Sequence, residues 1–274
     1  MNGLEWIRRP SQLRNPLAVA AFAGWGDAGE ASTGAAEHLI MALDGEAIAR
    51  IDPDAFYEFQ TRRPIAELAA DGTRILNWPR NEFHALHHEK RDLVVILGEE
   101  PNLRWRSFCE LVDQVLTALE VTEVITMGAF LGQVAHTLPV PLVGSASPSG
   151  WLMSHGLLPS GYEGPTGIVG TLTAHLAAAG RKTVSVWAAV PHYLANQKYP
   201  PAVHALVQKA SELGGLNLEL GALAIEADDF RLTVDAALAE SKDVAEYVHR
   251  LEKAEAQPGE GRLVDEIESF LRER

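Results

Sequence analysis

The stretch that decides the fold is "FAGWGDAGEAS", residues 22–32. It follows a short apolar run, "LAVAA" (17–21), and precedes an Ala-, Glu- and Leu-rich segment with helical character. Gly24, Gly26 and Gly29 thus spell G-x-G-x-x-G between a strand and a helix, the context in which that spacing cradles a dinucleotide pyrophosphate. A second strand, "EAIARI" (46–51), and then Asp52 follow at the distance where an acidic residue would hold a ribose. Asp27 opposes that reading. A carboxylate ~5 Å from a phosphate costs roughly 3 kcal/mol per charge pair at an effective dielectric of ~20. Asp27 and Glu30 also form D-x-x-E, a variant capping box, so the helix would supply its own anion. Trp25 is bulky where a cofactor needs close approach. The loop therefore reads as a capped strand-to-helix turn, and no cofactor is expected.

Outward from the loop, short apolar runs alternate with helical patterns. Strands are expected at 17–23, 46–51, 73–78, 93–98, 123–128, 141–146 and 183–190, and helices at 28–43, 104–119, 167–179 and 201–213. "LVVILG" (93–98) is apolar almost throughout, as in a strand covered on both faces of a parallel sheet. This alternation predicts a layered α/β domain over 1–215. Residues 216–274 lack a strand run and read as a helical appendage, ending in an amphipathic helix with Leu263, Ile267, Phe270 and Leu271 on one face. Such a segment needs a surface to cover, on the main domain or on another subunit.

The 274 residues carry 37 Asp and Glu against 23 Lys and Arg, a net charge of −14, which repels phosphate backbones and anionic lipid. Neither nucleic acid nor a membrane is an expected partner. No apolar run is long enough to span a bilayer and the N-terminus lacks a signal-peptide pattern, so a cytoplasmic location is expected. The one cysteine, Cys109, reads as a core residue.

Five stretches in fixed order carry a family likeness: "FAGWGDAGEAS", "FYEFQTRRP" (56–64), "GEEPNLRWRSF" (98–108), "GPTGIVG" (164–170) and "WAAVPHY" (187–193). Together they resemble the proteasome assembly chaperone family, in its bacterial branch similar to the second eukaryotic assembly chaperone. The resemblance spans about residues 10–215 and continues more weakly beyond. It implies a three-layer α/β/α sandwich with a mostly parallel sheet of the phosphorylase and peptidyl-tRNA hydrolase type. It also implies homo-oligomers (a trimer being the expected form), proteasome α subunits as partners, and a glycine loop that is structural. Chaperones that dock on the α-ring commonly end in a hydrophobic residue, a tyrosine and any residue. The sequence here ends "FLRER", with Glu273 penultimate, so docking through the tail is not expected.

The expected strand ends bring polar groups to the edge where open α/β sheets bind ligands. Trp25 and Asp27 follow the first strand, Glu99 and Glu100 follow "LVVILG", His192 follows "VSVWAAVP", and His136 lies in "GQVAHTLPVP". Two carboxylates beside two histidines suit general acid–base chemistry, which makes a small-molecule hydrolase or transferase the alternative to a protein-binding module. Each also has a bland role: Asp27 as a cap, Glu99 and Glu100 pairing with Arg104 or Arg106, His192 bonding a loop carbonyl. Thr166 is expected to cap the helix beginning near Gly167. The serines of "SASPSGW" (145–151) lack a nucleophile elbow. "FHALHHEK" (83–90) reads as a solvated polar connection and not as a metal site. In "FYEFQTRRP", Phe56, Tyr57, Phe59, Arg62 and Arg63 are expected to shape a subunit interface or the cleft mouth, the arginines pairing with Asp52 or Asp54.

Overall fold

The structure is a computed structural model that describes residues 3–147, 152, 157–239 and 242–255. In chain order the strands are β1 (Leu4–Trp6), β2 (Leu17–Ala23), β3 (Glu46–Ile51), β4 (Ile65–Leu68), β5 (Arg74–Asn77), β6 (Asn81–Leu86), β7 (Leu93–Glu99), β8 (Glu123–Gly132), β9 (Leu142–Ser147), β10 (Leu158–Pro159) and β11 (Lys182–Pro191). The helices are α1 (Ala31–Ala42), α2 (Trp105–Ala118), α3 (Ile168–Ala178), α4 (Pro200–Gly214), α5 (Gly221–Leu238) and α6 (Lys242–Glu255).

Nine strands form one sheet in the order β1-β3-β6-β7-β2-β8-β11-β9-β10. The four central strands, β7-β2-β8-β11, run parallel. Strands β6 and β9 flank them antiparallel. The centre is parallel because both faces are covered. Leu17, Val19 and Ala21 of β2 point to the layer of α1 and α4, whereas Ala18, Ala20 and Phe22 point to the layer of α2 and α3. Leu93 and Val95 of β7 split from Val94 and Ile96 in the same way. A strand buried on both sides favours apolar residues at every position, which is why these two runs are unbroken. The result is a three-layer α/β/α sandwich. Helix α5 lies on α4, and its Leu223 and Val234 enter the core on that side.

Three segments differ from the sequence reading. The stretch 83–90 is not a solvated connection: 81–86 is β6, seated between β3 and β7 with Phe83 and Leu86 fully buried. "RILN" is a strand but not part of the main sheet. It pairs only with β4, as a separate two-stranded ribbon. Helix α1 begins later than residue 28, because a 3-10 turn over Ala28–Glu30 precedes it, with Gly29 at φ +62° and Glu30 at φ +49°. The final amphipathic pattern (262–274), "QPGEG" and the C-terminal tail lie outside the described residues, as does Ser149 of "SASPSGW". Among the described residues no helix is long and apolar enough to cross a membrane.

Candidate functional site

The glycine loop is built around Asp27. Its Oδ1 accepts from Ser32 N at 2.8 Å, Ser32 Oγ at 2.6 Å and Thr33 N at 3.1 Å, and its Oδ2 accepts from Thr33 Oγ1. The carboxylate is 9% exposed. It therefore occupies the place at the start of α1 where a phosphate would sit. The cap is reached five and six residues on, across the 3-10 turn, and not through D-x-x-E. Glu30 instead pairs with Lys198 at 2.9 Å. Two glycines have structural reasons of their own. Gly24 turns the chain out of β2 at φ +136°, and a Cβ on Gly29 would lie 2.8 Å from Tyr199 Cβ. Asp52 caps a different turn, accepting from Asp54 N at 3.0 Å.

Glu100 joins this loop to the opposite layer. Its Oε1 accepts from Ile168 N at 2.8 Å and its Oε2 from Trp25 N at 3.3 Å. Glu100, not Thr166, thus caps α3, and an anion at a helix start is favourable. Glu99 pairs with Arg62, and not with Arg104 or Arg106, while its backbone carbonyl accepts from Tyr57 Oη at 2.6 Å. Asn81 Nδ2 donates in turn to the Tyr57 hydroxyl. Burial keeps that phenol protonated, with its pKa well above the usual tyrosine value. Phe56 and Tyr57 are both buried, so neither is free for a subunit interface. Phe56 packs edge-on against Phe108. Phe59 stacks edge-on with Trp78, and Arg63 is exposed.

The histidines lie elsewhere. His136 is 1% exposed, with Nδ1 at 2.7 Å from Tyr193 Oη and Nε2 at 3.0 Å from Asp235 Oδ1 on α5. The Tyr193 oxygen also accepts from the His136 backbone N at 2.9 Å, and a carboxylate can only accept, so Nε2–H donates to Asp235. His192 bonds Gly132 O through Nδ1 at 3.3 Å and Tyr247 Oη of α6 through Nε2 at 3.1 Å. Both histidines fasten the C-terminal helices to the sheet. The structure brings Trp25, Asp27 and Glu100 together around the glycine loop, places Glu99 beside Arg62, and separates both histidines from these carboxylates. No acid–base set converges on one cleft among the described residues, because each group is already committed to a cap or a fastening. His84 pairs with Glu82 inside the sheet, and His88 lies in the turn held by Arg14 and Asp92. Cys109 is buried, and burial pushes its thiol up to about 12.

Sequence reasoning passed over a cavity of about 310 Å³ between α3 and the sheet, lined in part by Trp25, Phe130, Ser145, Thr183, Ser185 and Trp187. Its signal was present in "TVSVW", where small hydroxyl residues alternate with valines.

An α/β/α sandwich whose glycine loop is locked by its own aspartate defines a scaffold class, and the comparisons identify it. A PAC2 family model matches residues 21–238, and the chain belongs to the PAC2 family. A PAC2 family protein from Streptomyces avermitilis is 41% identical, with 85% of this chain and 99% of that chain covered and a TM-score of 0.79. A proteasome-assembly chaperone homologue from Mycobacterium tuberculosis is 36% identical, with the same coverage and a TM-score of 0.79. An archaeal proteasome activator from Pyrococcus furiosus shares the fold at 16% identity, with 85% and 97% covered and a TM-score of 0.65. No curated protein matches the chain.

Proposed function

We propose that this protein is a non-enzymatic, homo-oligomeric binding module that acts on proteasome α subunits during assembly. Family membership supports the proteasome connection, and one of its relatives is described as a proteasome-assembly chaperone homologue. The observation that carries the binding role is the β4–β5 ribbon. Ile65, Leu68, Ile75 and Leu76 are 59%, 70%, 49% and 53% exposed, and Trp78 at its base is 41% exposed. In the register Ala66↔Leu76 and Glu67↔Ile75, Leu68 and Leu76 lie on one face of the ribbon and Ile65 and Ile75 on the other. A two-stranded ribbon with apolar side chains on both faces is not stable alone in water.

Its occupant is a second copy of this chain. A permanent partner is needed to keep such a ribbon covered, and another copy is always at hand. Arg63, Arg74 and Arg80, in or beside the ribbon in sequence, outnumber its acids Glu67 and Asp71, which suits the acidic body of a chain with net charge −14. A ribbon that grips a different surface on the next copy generates a ring, and three copies close it. Phe59 and Arg63 then belong to the rim of this contact. The α5–α6 appendage stays with its own sheet through His136 and His192.

Analytical ultracentrifugation of the purified protein, wild type and Leu68→Asp/Leu76→Asp, tests the assembly. The expected result is a trimer for wild type and a folded monomer for the variant. Pull-down with recombinant proteasome α subunits tests the client. A wild type that remains monomeric at micromolar concentration overturns the ribbon contact, and absence of any α-subunit association overturns the proteasome role.

A further inference from the structure

The cavity between α3 and the far side of the sheet has no part in the proposal above. At about 310 Å³ it is at the small end of pockets that hold small molecules, which run roughly 300–1,000 Å³. Its floor is the pairing of β9 with β11. There Ser147 lies opposite Thr183, and Ser145 opposite Ser185. Directly paired residues have Cβ atoms about 5 Å apart, and successive residues on one face are about 7 Å apart. Four hydroxyl side chains therefore mark a rectangle on one face of the sheet. Trp25, Phe130, Tyr162 and Trp187 supply aromatic walls. Among the described residues lining the cavity, none carries a charge.

Packing alone does not account for this floor. Nearby on the same face, Thr126 and Thr173 satisfy each other at 2.8 Å, and Thr173 also donates to Val169 O at 2.7 Å. Thr183 is fully buried, and its Oγ1 has no hydrogen-bond partner among the described residues. A buried hydroxyl left unpaired is destabilising, and a valine of the same shape would remove the defect. Ser185 Oγ accepts from Trp187 Nε1 at 2.9 Å, which fixes the indole against the cavity. Thr183 and the oriented ring both line the cavity, whose open hydroxyls are those of the exposed Ser145 and Ser147.

We infer that this cavity binds an uncharged, planar ring compound of the nucleobase class, stacked on the aromatic walls with its polar edge on the hydroxyl rectangle. Hydroxyls both donate and accept, so they match the mixed edge of a heterocycle. None of the described lining residues is a cation, so none of them pairs with the charge of a phosphate or carboxylate.

The test is calorimetric titration of the full-length protein with adenosine, uridine, their 5′-monophosphates and glucose. Adenosine or uridine is expected to bind at millimolar concentration or below, and each monophosphate more weakly than its nucleoside. Ser147→Ala, at the exposed end of the rectangle, is expected to keep the wild-type melting temperature yet bind about tenfold more weakly, with Ser147→Thr restoring binding. A purely structural serine would leave affinity unchanged. Ser145→Ala carries the same expectation. Failure of both nucleosides to bind, tighter binding of the monophosphates or of glucose, or unchanged affinity in the hydroxyl variants overturns the inference.

Discussion

Replacing Asp27 by alanine tests whether the glycine loop is held by its own carboxylate. Four donors converge on Asp27: the amides of Ser32 and Thr33 and their two hydroxyls. The hydroxyls can rotate to other acceptors, but the two amides at the start of α1 cannot. Each buried donor left unsatisfied costs about 1–3 kcal/mol, and a lost N-cap alone about 0.5–2 kcal/mol. Allowing for entry of water at the loop, Asp27→Ala should lose about 2–4 kcal/mol. For a chain of this size that is a fall in Tm of roughly 5–15 °C. Asp27→Asn retains the acceptor oxygen used by Ser32 N, Ser32 Oγ and Thr33 N, and offers its amide to the Thr33 hydroxyl. It should lose only about 1 kcal/mol, mainly the charge at the helix start. Urea denaturation of the three proteins at equal concentration, followed by circular dichroism, measures the order wild type, Asn, Ala. An alanine variant within about 0.5 kcal/mol of wild type refutes the reasoning, because a buried four-donor cap cannot be that cheap to remove.

Native Cys109 should resist iodoacetamide at pH 8 and react only on unfolding, since burial raises its thiol to about 12; rapid native labelling contradicts its place on the buried face of α2. Stability should fall on acidification. Hydrogen bonding by His84 lowers Glu82, while Glu123 is disfavoured by burial yet brought below its ordinary 4.5 by Arg91 and Lys182. The unfolded chain therefore takes up protons first, so this stabilisation is complete above that range and lost as pH falls through the folded values; burial of His38 adds a loss that starts below 6.5. Stability that stays flat from pH 7 to pH 3 contradicts this. His136→Ala should loosen α5–α6 on the sheet, with the His192–Tyr247 bond still in place, and speed tryptic cleavage at Arg250 and Lys253, with little change in the secondary structure of the sandwich.

The central strands were legible because residues covered on both faces have no freedom to be polar: 17–23 and 93–98 announce themselves. Strand β6 did not, because its sequence, "NEFHAL", mixes charge with burial. Glu82 and His84 pair with each other there, and polar residues that pair inside a sheet look like a loop when read alone. Asp27 was legible as a cap, but its targets were not, and the capping role of Glu100 was not legible at all. Glu100 reaches Ile168 across 68 positions, and no local pattern reports that distance. His136 and His192 were expected to share an edge with Glu99 and Glu100 because strand ends were located without the helices that come down on them. The hydroxyl floor was written in the alternation of "TVSVW", but its meaning depends on β9 lying antiparallel beside β11, a pairing between segments separated by α3.

That pairing also constrains how the chain can be made. Among the described residues β11 is the last strand in sequence, yet it lies between β8 and β9. Until residue 191 has left the ribosome, β8 has one bare edge and β9 has no neighbour through which to join the sheet. Bare apolar strand edges invite pairing with other chains, and contacts that join distant segments form slowly. Vectorial folding from the N-terminus therefore halts at β8, and the sandwich closes only by insertion of a late-made strand into a waiting gap. A stop codon upstream of that strand removes a wedge from the middle of the sheet and leaves the earlier strands as a sticky remnant.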